Sequence, residues 1–226
     1  MTSGDGVKAY IRQVAGGLQQ SLLFHRIVVY QQNPLPESIE IEVVLRKIEE
    51  KIPQFMFDDI DSIFIGQFDF LKEKEVDAVY ENGAIYLTNE QDDDDDFFSD
   101  IVHELAHAVE ETYPLDIYGD KIIEEEFLAK RRSMSEILHA HGYDKYDAGA
   151  FAETEYSVEF DTYLYQEVGY PILHTLLHGL FISPYGATSL REYFANAFEE
   201  FFSGDTYYVK SVSPAVYKKI IDLQGY

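Results

Sequence analysis

Apolar positions fall in short runs through the first third of the chain and at helical spacing through most of the rest. Ile27 to Tyr30 is a compact apolar run of strand type. Glu37 to Lys51 sets Ile39, Val43, Ile48 and Ile52 among acids and bases at roughly helical spacing, and Pro53 ends it. Ile63 to Phe70 is aromatic and β-branched. Val76 to Thr88 carries Asn82-Gly83 between two apolar segments, a hairpin signal because both residues tolerate positive φ. Its second arm, Ala84 to Thr88, is the expected edge of the sheet. Beyond Asp92 to Asp96 the period predicts helices near Phe97 to Glu111, Lys121 to His141, Phe151 to Gly169, Pro171 to Phe181, Ser189 to Phe202 and Pro214 to Leu223. A small sheet followed by helices is an α+β order.

No repeat and no long linker interrupts the 226 residues, so one domain over 1–226 is expected, with residues 1–60 the least patterned part. With 46% hydrophobic residues, 18 Tyr and 16 Phe, the chain has ample material for a core. Seventeen Lys plus Arg stand against 42 Asp plus Glu, and a net charge of −25 repels phosphate backbones, which excludes nucleic acid as a partner. The absence of Cys removes disulfides, thiolate metal sites and cysteine nucleophiles, leaving His, Asp and Glu as metal ligands. No apolar stretch is long enough for a membrane span, and MTSGDGVKAYIRQVAGG lacks the features of a secretory signal. A cytoplasmic protein, or one released or packaged without such a signal, is expected. Tyr170 to Tyr185, the longest apolar region, is expected to be a buried helix with its flanks. The aspartate run is expected to be a solvated loop suited to the positive end of the next helix, with a calcium site as the alternative.

His103-Glu104-Leu105-Ala106-His107 is an HExxH pattern. Residues four apart on a helix differ by about 40° and 6 Å, so both imidazoles can face one metal ion. Glu104 then lies beside the open coordination position, where it can take a proton from water. The third ligand comes from elsewhere, and His25, His139, His141, His174, His178 and many carboxylates are available. His174 and His178 are four apart without an acid between them and suit the core or a cleft wall. His139 and His141 suit the surface near a helix end. Glu192 is the best candidate: Ser189 can cap its helix, and a carboxylate among Tyr193, Phe194, Ala197 and Phe198 needs a cation.

VHELAHAVEE followed by SPYGATSLREYFANAF resembles the family of the anthrax lethal factor C-terminal protease domain, related to the Pro-Pro endopeptidases. The resemblance spans roughly Val76 to Leu223. It implies a zincin-like fold, one Zn2+ held by His103, His107 and Glu192, Glu104 as general base and Tyr185 as a donor to the oxyanion. The acid usual one turn after the glutamate ligand is Asn196 here, and Asp120 to Leu180 is an expected insertion that shapes or covers the cleft.

The expected activity is therefore that of a gluzincin-type zinc endopeptidase acting on a protein or peptide, with basic substrates favoured by the negative charge. A catalytically inactive zinc-stabilised structural or interaction protein is the alternative. It leaves Glu104 without a purpose, because structural zinc sites close their coordination with four protein ligands.

Overall fold

A computed structural model describes residues 19–225; the N-terminal segment considered above as a leader lies outside them. The architecture is α+β. Strands β1 (Gln19–Leu23), β2 (Ile27–Gln31), β3 (Ser62–Ile65), β4 (Ala78–Glu81) and β5 (Ala84–Leu87) form one mixed sheet in the order β1-β2-β3-β5-β4. β2, β3 and β5 are parallel, and β1 and β4 run antiparallel to their neighbours. Helix α1 (Ile41–Lys51) connects β2 to β3, and the short α2 (Asp69–Lys74) leads from β3 to the β4–β5 hairpin. The chain divides into two compact units, one ending at Ala108 and the other starting at Val109. The division falls inside α3 (Asp94–Thr112), which therefore contributes to both.

In the first unit the two-residue period of the strands sorts their side chains. Val29, Ile63 and Ile85 occupy one cross-strand row and are buried. The next row, Tyr30, Phe64 and Tyr86, stacks ring on ring at 5.1 Å per step on the opposite face. Val44, Leu45 and Ile48 of α1 and Phe97, Phe98, Ile101 and Val102 of α3 are also fully or nearly fully buried, each worth roughly 1.5–3 kcal/mol relative to exposure. Asn82 and Gly83 turn the hairpin with φ 51 and 81, as their residue types require. The expected edge strand is corrected. β5 lies between β3 and β4, where register with β3 buries Ile85 and Leu87, and the half-buried β4 takes the edge.

Three further expectations change. The strand from Ile63 stops at Ile65, and Asp69 already starts α2. The helix expected over Phe151 to Gly169 is broken: Ser157 caps α6 (Val158–Thr162), and the chain then widens into a π-helical turn, Tyr163–Gly169. The apolar run after it is not a buried helix, because α7 (Tyr170–Leu176) is short, Gly179 turns at φ 75, and Ile172, His174 and His178 are exposed.

The second unit holds the end of α3, α4 (Pro114–Tyr118), α5 (Ile122–Ala140), α6, α7, α8 (Leu190–Ser203), α9 (Thr206–Val212) and α10 (Pro214–Gln224). Its centre is aromatic. Phe127 of α5 meets Phe181 and Tyr193 edge-on or tilted, and Phe194, Phe198 and Phe202 continue along α8. No helix among the described residues is long and apolar enough to cross a membrane.

Candidate metal centre

Helix α3 begins inside the aspartate run. Asp93 Oδ1 accepts from the backbone N–H of Asp95 (2.8 Å) and Asp96 (3.0 Å), satisfying donors that a helix start leaves open. Asp94 accepts from the Glu40 amide and Asp95 pairs with Lys47. The run is thus a cap with local partners. From there the helix is apolar on the face carrying Ile101, Val102, Leu105 and Ala108, which fixes the rotation of His103, Glu104 and His107 around its axis.

His103 and His107 stack edge to face, with ring centroids 5.2 Å apart and planes at 81°. Ligand atoms of His103, His107 and Glu192 all lie within 4.8 Å of one another, each residue being half-buried. Among the described residues this is the one group of three or more His or acidic side chains placed to hold a metal. His25, His139, His141, His174 and His178 are exposed and none belongs to it. His139 lies 3.3 Å from Asp144, and His174 and His178 line a surface depression with Leu173 and Leu177 rather than the core. Two imidazoles and one carboxylate are the donor set that zinc takes when it keeps a fourth position open.

Glu104 is buried, and its Oε2 accepts the backbone N–H of Tyr80 on β4 at 2.5 Å. One carboxylate oxygen is thereby fixed by the sheet edge.

Glu192 stands in the first turn of α8, where the Ser189 hydroxyl accepts its amide N–H at 3.1 Å, the cap that the pattern predicts. Tyr185 opens a 3₁₀ turn, Tyr185–Ala187, just before. Its carbonyl accepts from the hydroxyl and amide of Thr188 at 2.7 and 2.9 Å. Burial pushes the phenol well above its ordinary range, helped by the negative charge of Glu192, so Tyr185 stays a proton-bearing donor. Asn196 serves this turn: its Oδ1 accepts from the Ser183 hydroxyl, and its Cβ lies where a side chain on Gly186 would come within 3.3 Å.

Several supporting residues give no signal in the sequence. Arg131, inside a Lys-Arg-Arg run that suits a solvated helix face, is instead 1% exposed. It donates to the carbonyls of Ala187 (2.6 Å), Thr188 (3.2 Å) and Ala150 (2.8 Å), with Phe160 beneath its guanidinium at 4.1 Å. It thus anchors the segment between Tyr185 and Glu192, and burial pushes its guanidinium down to about 10. Lys130 donates to the carbonyls of Leu180 and Val212, and burial lowers it to about 8. Glu110, one turn beyond His107, is buried, accepts from the Tyr118 hydroxyl and lies 3.5 Å from Arg191. Its seven-residue offset from His103 is the one signal that could have marked it.

Compared with known proteins, the chain matches no family model, no curated protein and no solved structure.

Proposed function

We propose that this protein is a zinc-dependent endopeptidase with a zincin-like arrangement, in which His103, His107 and Glu192 hold the metal. The observation that carries the reading is the grouping of those three side chains, with Glu104 between the two histidines in sequence and held by Tyr80. A bound zinc ion would supply Lewis acidity toward a water molecule and a peptide carbonyl. Glu104 takes the proton of the attacking water and returns it to the departing amine. Tyr185, kept protonated by its surroundings, donates to the oxygen that gains charge as the carbonyl is attacked. Arg131, Asn196 and Ser189 hold the chain that carries Tyr185 and Glu192.

The test is digestion of a peptide library by the zinc-loaded protein, with chelator-treated protein and Glu104→Gln as controls. Cleavage that needs both the metal and Glu104 supports the reading. Cleavage that survives either control, or no cleavage by metal-replete protein, rejects it.

A further inference from the structure

Glu110 lies one turn beyond His107 on α3, and its side chain is only 4% exposed. Its carboxylate accepts from the hydroxyl of Tyr118, the last residue of α4, and its Oε2 stands 3.5 Å from Arg191 Nε in the first turn of α8. The Tyr118 ring in turn meets Phe194 of α8 edge-on, with centroids 6.2 Å apart. One buried carboxylate thus joins three helices within the second unit.

Arg191 occupies an unfavourable place for a cation. The first turn of a helix is the positive end of its dipole, and a side chain that is 54% exposed could turn to water instead. The buried charge of Glu110 explains its direction, because a carboxylate taken out of water needs a cation and hydrogen-bond donors around it. Arg191 is also the residue next to Glu192. Successive side chains on a helix stand about 100° apart on one stiff backbone, so a guanidinium drawn to Glu110 sets the rotation of the turn from which the Glu192 carboxylate projects. On α3 the same stiffness ties Glu110 to His107, about 4.5 Å back along the axis. We infer that the Glu110–Arg191 pair is a strut that holds Glu192 at ligand distance from His103 and His107 and so sets the affinity of the site for zinc. Both are positioning residues, since neither belongs to the ligand group itself. The inference rests on the zinc reading of that group.

The experiment measures zinc affinity by competition with a chromogenic chelator, at fixed pH and ionic strength, for wild type, Glu110→Gln, Arg191→Met and the double variant. Glutamine keeps an acceptor for Tyr118 and loses the charge. Methionine replaces a side chain that is half exposed, so that variant folds even where the buried substitution does not. Urea unfolding of the metal-free proteins identifies the variants that are fully folded. Charge alone makes opposite demands on the two single variants: loss of a nearby negative charge weakens cation binding, and loss of a positive one strengthens it. Loss of a strut weakens both.

Each folded single variant is expected to bind zinc about 10–100-fold more weakly than wild type, the usual effect of losing a group that orients metal ligands. The double variant should be no more than about threefold weaker than the weaker single one, because the second substitution removes a partner already lost. The visible spectrum of the cobalt-loaded protein follows ligand geometry and should change in both single variants, which a general loss of stability would not cause. Zinc affinity in Arg191→Met equal to wild type or tighter, losses that multiply in the double variant, or unaltered cobalt spectra overturn the strut. A wild type that binds no zinc rejects the strut and the zinc reading together. Coupled losses of affinity in a protein whose wild type cleaves nothing retain the strut and reject the peptidase, and metal-dependent cleavage with unchanged affinity in the variants does the reverse.

Discussion

Replacing Arg131 by methionine removes a buried cation and leaves the rings around it in place. Three carbonyls lose a charged donor, at Ala150, Ala187 and Thr188. Hydrogen bonds to charged groups contribute about 1.5–3 kcal/mol each, so the gross loss lies near 4.5–9 kcal/mol. Burial opposes it. A guanidinium pushed by burial from its ordinary range down to about 10 implies a desolvation cost of roughly 3 kcal/mol, which methionine does not bear. The Arg131 Nε, buried without a partner, lowers the worth of the native arrangement further. A net destabilisation of about 3 kcal/mol follows, or roughly 6–12 °C in Tm for a chain of this size. Arg131→Lys keeps the charge on a single point donor and should fall between methionine and wild type. Urea and thermal unfolding followed by circular dichroism give the comparison. A methionine variant within about 0.5 kcal/mol of wild type would refute the view that Arg131 anchors the Tyr185–Glu192 segment.

Glu192→Ala and His103→Ala should each lose zinc on dialysis while Glu104→Gln retains it; metal analysis showing wild-type zinc in Glu192→Ala would move the third ligand elsewhere. Tyr185→Phe should keep its zinc and lose about 10²–10³ in kcat on a cleaved peptide, and an unchanged kcat would remove the phenol from the reaction. Lys130 predicts a pH effect of defined sign: the folded amine releases its proton near 8, whereas the unfolded chain holds it to about 10.5. Between those values the unfolded state binds more protons, so this group raises stability as pH rises. Urea midpoints at pH 7.5, 8.5 and 9.5 should show wild type gaining on Lys130→Met, and a constant difference would reject the assignment.

Where local chemistry decides, sequence and structure agree. Asn82-Gly83 makes its hairpin, Ser189 caps α8, and the apolar face of α3 orients the two histidines. Tyr185 is one of 18 tyrosines, and only the likeness to a protease family singled it out. Disagreement comes where a tertiary partner sets the outcome. β5 became central because β3 offered a parallel register, a pairing invisible in the two-residue pattern. The run from Phe151 to Gly169 has helical spacing, yet it divides at Ser157 and widens into a π-helical turn, a break that periodicity does not announce. Arg131 was hidden by composition, since basic residues in sequence ordinarily mark a solvated face.

The hydrogen bond from the Tyr80 amide to Glu104 also bears on how the molecule avoids its own kind. β4 borders a five-stranded sheet, and such borders invite pairing with a strand from another copy, the first step of ordered aggregation. Here one outward amide of a four-residue border is already bound to a carboxylate from another element. An incoming strand would have to dislodge Glu104, or leave its own carbonyl opposite a negative charge. Glu104, proposed for proton transfer, would thereby also guard the sheet, and Glu104→Gln, which removes the negative charge at that border, should form thioflavin-positive aggregates at a lower concentration than wild type.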